Sequence, residues 1–278
     1  MSQKSLMELI DEAISSGVTS LPVFPVAIKE LHNALKDENR SFDVIAKQIT
    51  MDANLAAQIL RAANSSFYAG MSKINTLKEA ILRLGLARVV QIATLVVQKG
   101  LFSSKNPTTS QFMNKLWQHS VAVALGSEWL ANRLGFMTLA EEAFMAGLFH
   151  DIGKLLLLRC LEDICANNPT LSLPEELIYE VLVNQHEKKG SQLLQSWNLP
   201  EIYCSIAESH HQPLTDKTET VELLVRVANM VSSKLGIAIR PAPNLVVIGS
   251  EEACRLGLSE ITLAELEIAL EDALAIPL

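Results

Sequence analysis

The chain has 278 residues, 49% of them apolar, and its 23 basic and 31 acidic side chains leave a net charge of −8. That length and apolar share can bury a substantial core without staples; the four cysteines, Cys160, Cys165, Cys204 and Cys254, form no C-x-x-C pair, which argues against a zinc ribbon or a redox dithiol and fits a reducing, cytoplasmic setting. The basic residues form no run, so direct nucleic-acid binding is disfavoured, and no apolar stretch approaches the roughly 20 residues that span a bilayer.

Aromatics are only 5% of the chain, and β-branched alternation is scarce. Leu, Ala, Glu, Lys and Gln dominate, so an all-α, multi-helical fold is expected. Met1 to Ile14 mixes Lys4, Glu8, Asp11 and Glu12 with Leu6, Met7, Leu9 and Ile10, the pattern of an amphipathic helix rather than a signal peptide. Pro22 and Pro25 precede the apolar-periodic stretch Val26 to Leu35. Ser41 suits an N-cap for Phe42 to Ile49, and Asp52 one for Asn54 to Ala63, with Asn64 at a left-handed C-terminal position. Thr76 and Glu79 have capping-box spacing ahead of Ala80, Ile81 and Leu84, and Gly85 separates that helix from Leu86 to Lys99.

Ser103 to Ser110, SSKNPTTS, lacks any bulky apolar residue and reads as a linker. A boundary there divides the chain into an N-terminal helical part, 1–102, packed on a helical bundle, 103–278. Beyond it the pattern predicts helices around Trp117 to Leu130 and from Leu139 to His150, with an apolar run continuing through Leu158. Pro174 opens Glu175 to Gln185, Gly190 lies within or beside a helix from Lys188 to Trp197, and Pro200 starts one ending near His210. Glu219 to Leu235 and Leu263 to Ala275 complete the set. Trp197 and Leu199 beside Pro200 read as packing at a helix junction, and Cys160 and Cys165 as buried thiols.

Five of the six histidines, His119, His150, His186, His210 and His211, fall in the second part. Asp151 follows His150 directly, so on one helical turn the imidazole and carboxylate would leave about 100° apart and could face one cation. Imidazole suits Zn, Fe, Ni or Mn, and a carboxylate shifts preference toward harder ions. Such an ion can acidify bound water and neutralise a phosphoryl oxygen, with Lys154 holding phosphate as a point charge. The plain alternative for any single histidine is a hydrogen-bonded core residue.

The string His150-Asp151-Ile152-Gly153-Lys154 resembles the signature of the HD phosphohydrolase superfamily, especially its HD-GYP branch. His186 to Gly190, Trp197-Asn198-Leu199-Pro200 and His210-His211 resemble the spacing of HDOD domains, the HD-related output domains. Upstream, LPVFP at 21–25, Asp52 and Leu55 before LRAANS at 60–65, and AILRLGLARV at 80–89 are similar to HDOD sequence. The resemblance runs from about Leu21 to His211 and implies an N-terminal helical subdomain packed on an HD-like bundle, in bacterial signal-transduction proteins to which turnover is generally not attributed. Carried over by resemblance, the metal-binding residues are His119, His150, Asp151, His186, His210 and His211, and in an enzymatic reading Asp151 and Lys154 take the catalytic roles.

Two departures weaken that carry-over. Asn229 stands where the superfamily has its last metal-binding aspartate, and Lys115 stands four residues before His119, where HD-GYP enzymes can have a glutamate. The GYP segment is also missing, since Gln212-Pro213-Leu214-Thr215 follows His211. The expectation is therefore a regulatory domain with a degenerate site. One position would be built from Asp151, His186, His210 and His211, and a poorer one from His119, His150 and the shared Asp151. One divalent ion (Fe, Mn, Ni or Zn) is the expected cofactor, and a signalling protein the expected partner, with a nucleotide or anion as alternative ligand. The competing expectation is a metal-dependent phosphohydrolase acting on a nucleotide or another phosphoester.

Overall fold

A computed structural model describes residues 5–16, 46, 49, 52–65, 68, 73–168 and 171–273. Among these residues there are helices and no strand, as the composition dictates. The chain divides into two compact units: Met1–Pro22 with Ser104–Leu270, and Val23–Ser103 with Glu271–Leu278. The expected helices at 26–35 and 42–49 lie outside the described residues, apart from helical Ala46 and Ile49.

In the smaller unit, helix α2 (Ala53–Ala63) begins where Asp52 accepts hydrogen bonds from the backbone of Asn54 and Leu55, and α3 (Leu77–Leu84) begins in the capping box of Thr76 and Glu79. Gly85, at φ 80°, turns the chain into α4 (Leu86–Lys99), and the three helices pack on one another. Asn64 departs from expectation. Its φ of −99° is not left-handed, because its side chain bridges the Leu60 and Ile74 carbonyls and accepts from the Ile74 amide, a tie between distant backbone segments that no cap rule contains.

The larger unit is the frame of the histidine cluster. Helix α1 (Leu6–Ser15), capped by Ser5 and Glu8, buries Ile10 and Ala13 and packs on α7 (Ile152–Asn167). Helix α5 runs from Pro107 to Arg133, so half of the linker-like stretch is helical: Asn106 caps it by accepting from Thr109, and Pro107 takes the first turn, where it costs no hydrogen bond. A short 3₁₀ turn, Met137–Leu139, leads into α6 (Ala140–Phe149), followed by α7, α8 (Glu175–Ser196), α9 (Glu201–Ser209), α10 (Thr220–Lys234), α11 (Glu251–Arg255) and α12 (Glu260–Ala273). Helix α8 is a single element of 22 residues, where the sequence suggested two, and Gly190 lies inside it.

The core of this unit gathers Val123, Leu130, Ala143, Leu224, Val227, Val231, Leu266 and Leu270 from α5, α6, α10 and α12. Phe149 sets its ring against Trp197 and Tyr203, so Trp197 is packing material as expected. Cys160 and Cys204 are buried free thiols, Cys165 is half-buried and Cys254 is exposed. No single helix among the described residues is long and apolar enough to cross a membrane.

Two glycines decide how closely the site-bearing helices approach. A Cβ on Gly147 of α6 would meet the α5 backbone, 2.8 Å from both Ala124 Cα and the Val123 carbonyl. A Cβ on Gly153 of α7 would lie 2.0 Å from the His186 carbonyl oxygen and 2.6 Å from the Gly190 nitrogen of α8. The first glycine lets the helix of His119 touch the helix that ends at His150. The second lets the helix of Asp151 touch that of His186.

Candidate metal centre

The His150-Asp151 pair does not sit within one continuous helix, as its spacing suggested. Asp151, at φ −105° and ψ 12°, breaks the chain between α6 and α7, and His150 closes the end of α6. The break turns both side chains inward. His119 reaches the same point from the middle of α5, His186 from the middle of α8, and His210 and His211 from the end of α9. His119, His150, Asp151, His186 and His210 are buried, whereas His211 is exposed at the mouth.

The donor atoms fall into two groups that share Asp151. Candidate ligand atoms of Asp151, His186, His210 and His211 all lie within 4.8 Å of one another, and so do those of His119, His150 and Asp151. Asp151 Oδ1 is 3.4 Å from His186 Nε2 and 3.5 Å from His210 Nε2. Its Oδ2 is 3.5 Å from His119 Nε2, 3.4 Å from His150 Nε2 and 2.6 Å from Lys154 Nζ.

What orients the rings is the main chain. His119 Nδ1 lies 2.7 Å from the Ile237 carbonyl, His150 Nδ1 2.7 Å from that of Gly147, His186 Nδ1 2.8 Å from that of Leu182, and His210 Nδ1 3.0 Å from that of Ile206. A carbonyl can only accept, so each Nδ1 carries a proton and each Nε2 is turned toward the centre, as a bare lone pair wherever the ring is neutral. Burial pushes the imidazoles of His119, His150 and His186 below their ordinary range, His186 to about 4, despite the pull of Asp151 toward the charged form. His211 falls to about 3, through desolvation and then the neighbouring His210. Burial alone would raise the Asp151 carboxyl, but the Lys154 ammonium overcomes it and holds it well below the usual carboxylate range.

Neutral rings at His119, His150 and His186 around an ionised carboxylate make an excess of acceptors. His186 Nε2 stands 3.3 Å from His210 Nε2, and His150 Nε2 and Asp151 Oδ1 are buried with no hydrogen-bond partner. Each such orphan costs roughly 1–3 kcal/mol. A divalent cation satisfies them together, and the carbonyl behind each ring is the usual second partner of a metal-binding histidine. The residues present therefore fit a metal, and three imidazoles with one carboxylate suit Fe, Mn, Ni or Zn.

A cavity of about 610 Å³ opens over the cluster, lined by His119, Asp151, Lys154 and His211 together with Asn229 and Arg240. Asn229 thus stands on the wall of the site and brings no charge to it. Lys115 does not: it is exposed on α5 one turn before His119, outside the cavity lining, so the repulsion expected of it is screened by solvent.

Arg226 is a residue the sequence reading passed over. Buried on α10, it pairs with Glu222 at 2.5 Å and donates from Nη1 to the Gln212 carbonyl, at 2.6 Å, and from Nη2 to that of Ser209. Those two carbonyls bracket His210 and His211, so one guanidinium fixes the turn that carries both. Glu222 and Arg226 at i,i+4, followed by Asn229 three residues later, were the available signal. An Arg226→Lys variant keeps the charge but cannot fork to both carbonyls. It is expected to lose about 2 kcal/mol of stability in denaturant titrations, the scale of a hydrogen bond to a charged group.

The acid response of the metal-free protein follows from the same burial. His186 is neutral in the fold down to about 4, but the unfolded chain takes its proton near 6.5. The unfolded state therefore binds more protons between those values, and stability falls as pH is lowered through them, by on the order of 3 kcal/mol for this ring. Asp151, depressed in the fold, adds a loss in the same direction below its ordinary value. Thermal melts of chelator-treated protein from pH 7 to 4 are the check; a flat profile would contradict the assignment.

The family model of the HDOD domain matches residues 21–213. The chain belongs to the HDOD domain family. By fold this HDOD protein is similar to an HDOD domain protein of unknown function from Geobacter sulfurreducens, with a TM-score of 0.77, 22% identity and coverage of 97% of this chain and 96% of the other. It is also similar to a "Putative metal-dependent phosphohydrolase" from Shewanella amazonensis SB2B (TM-score 0.67, 19% identity, 95% and 98% covered). A third likeness is to a "Putative signal transduction protein" from Marinobacter aquaeolei VT8 (TM-score 0.66, 20% identity, 99% and 60% covered). The chain spans 39% of the length of a curated relative that it matches at 22% identity.

Proposed function

We propose that this HDOD protein is a bacterial, cytoplasmic signalling component that works by binding rather than turnover, with one divalent ion held by Asp151, His186, His210 and His211. The observation that carries this is the inequality of the two donor groups. One has four ligands. The other has three, must share Asp151, and finds the neutral Asn229 on the wall of the cavity. Removing a charged ligand weakens a site for hard ions, and activation of water between two metals needs both. When bound, the ion would tie the α6–α7 junction and α8 to the end of α9 and stabilise the fold by mass action. The signal would pass to a protein partner, or be set by a nucleotide or anion in the cavity.

The second reading, a metal-dependent phosphohydrolase, is favoured by the open cavity reaching Asp151 and Lys154. There the ion would supply Lewis acidity, and the chain's own contribution would be to orient Asp151 and exclude bulk water from the buried rings. A phosphoester panel assayed on protein loaded with Mn, Fe, Ni or Zn separates the two. No turnover with any metal is the expected result. Turnover abolished by His150→Ala or Asp151→Ala would replace the signalling reading with the enzymatic one.

A further inference from the structure

The segment between α10 and α11 is not helical, and it walls two hollows at once. Arg240, Ala242 and Leu245 line the cavity over the histidine cluster, and Pro243 to Ile248 form one side of a second groove of about 460 Å³, faced by Glu260, Leu263 and Ala264 of α12. Leu245 belongs to both. The same segment begins at Ile237, whose carbonyl holds His119 Nδ1. We propose that this groove is where the signalling partner docks, and that its occupant is an amphipathic helix with lysine or arginine beside its apolar stripe. This rests on the signalling reading above.

The face is apolar and uncovered. Leu263 and Val247 of the groove lining are buried, but Val246 is 71% exposed, and Ile261 and Ile268 of α12 are 69% and 60% exposed. Ile261, Ala264 and Ile268 recur at i, i+3 and i+7, which makes an outward stripe beside the groove, with a small residue at its centre where a helix can come close. Single exposed apolar side chains need no explanation, but four of the eight large ones among the described residues, Val246, Ile248, Ile261 and Ile268, fall on these two short segments. Charge selects the occupant. From Glu260 to Leu270, α12 carries three glutamates and no cation. Glu265 and Glu267 are met by single, partly exposed pairs with Arg133 and Lys234, a kind that contributes little, and Glu260 makes no ion pair among the described residues. A second copy would set the same three glutamates against their equivalents, and an anionic lipid surface or a nucleic acid is repelled likewise. With no strand among the described residues there is no sheet edge for an extended peptide to join, so a helix laid in the groove is the fitting mode of recognition. The wall shared through Leu245 places this groove, rather than another exposed apolar residue, beside the cavity whose state is to be reported.

The test is site-specific cross-linking. A photoreactive amino acid is placed at position 264, and for comparison at the exposed position 82 of α3, in the full-length protein in its native host, and cross-linked peptides are identified by mass spectrometry. From position 264 the expected product is a helical segment of another protein, apolar at i, i+3 or i+4 and i+7, with Lys or Arg alongside. Its yield should fall at least fivefold in Val246→Asp and Ile261→Asp and at least threefold in Glu260→Lys, and hold in Glu260→Asp; these positions are exposed, and circular dichroism confirms folding. A cross-link to a second copy, to another part of the same chain or to an acidic segment would overturn the proposal, as would yields that the substitutions leave unchanged. A partner captured at position 82 or co-purified with the whole chain, but absent at 264, would overturn it while the signalling reading stands. No partner by any of these routes would sink both.

Discussion

Replacing Gly153 with alanine is expected to dismantle the metal centre although no donor atom changes. The new Cβ would lie 2.0 Å from the His186 carbonyl oxygen, 2.6 Å from the Gly190 nitrogen and 2.8 Å from the His186 carbonyl carbon. All three are backbone atoms of α8, so no rotamer change relieves the overlap, and the two helices must move apart. Overpacking of a core costs about 1–3 kcal/mol where side chains can adjust, and a backbone clash belongs at or beyond the upper end of that range. The displacement also lifts His186 from Asp151, now 3.4 Å away, so metal affinity should collapse together with stability. Gly190→Ala is the matched control. Its Cβ meets nothing closer than the Gly153 nitrogen at 3.2 Å, and a smaller loss is expected. Melting curves with and without metal are the measurement; a Gly153→Ala protein that melts and binds like wild type would show that the helix spacing is not what assembles the site.

The second large effect is expected from Asp151→Asn. Among the described residues Asp151 is the one carboxylate in contact with the four buried rings, and both donor groups depend on it. Asparagine keeps the shape and removes the charge. Loss of a partner behind a ligand already costs about 10- to 100-fold in metal affinity, and loss of the shared anionic ligand should exceed that. The same change strands the Lys154 ammonium, whose carboxylate partner at 2.6 Å is gone, next to His150 and His119. Calorimetric titration of Zn or Mn into the variant, with far-ultraviolet circular dichroism to confirm folding, gives the answer. An affinity within threefold of wild type would mean that Asp151 is a structural anion and not a ligand.

Much of this site could be read before any coordinates existed, because its chemistry is concentrated in residue types that are scarce elsewhere in the chain. His119, His150, Asp151, His186, His210 and His211 do converge, and the expected division into groups of four and three is the geometry found. Helix starts were equally legible wherever a side chain performs the cap, as at Asp52 and Thr76. What escaped were features set by other segments. Helix α8 passes through Gly190, where α7 comes close at Gly153, and α5 reaches back to Pro107 because a proline-bearing polar run can be a first turn as easily as a linker. Arg226 was silent because its partners, the carbonyls of Ser209 and Gln212, are backbone atoms that every residue has. Lys115 shows the converse: its offset from His119 suggested proximity to the site, and the structure places it on the exposed face of α5, outside the cavity lining.

The carbonyl behind each ring carries a mechanical consequence. An imidazole is stiff and planar, so a histidine anchored to the main chain through Nδ1 acts as a strut whose other end is whatever Nε2 touches. Four struts meeting on the two oxygens of one carboxylate make the distances among α5, α6, α8 and α9 interdependent, and His119 extends the linkage to Ile237, past the end of α10. An ion on His186, His210 and His211 would therefore pull on α5 and α6 as well, through the shared carboxylate, giving a small inorganic input a readout spread across the exterior of the bundle.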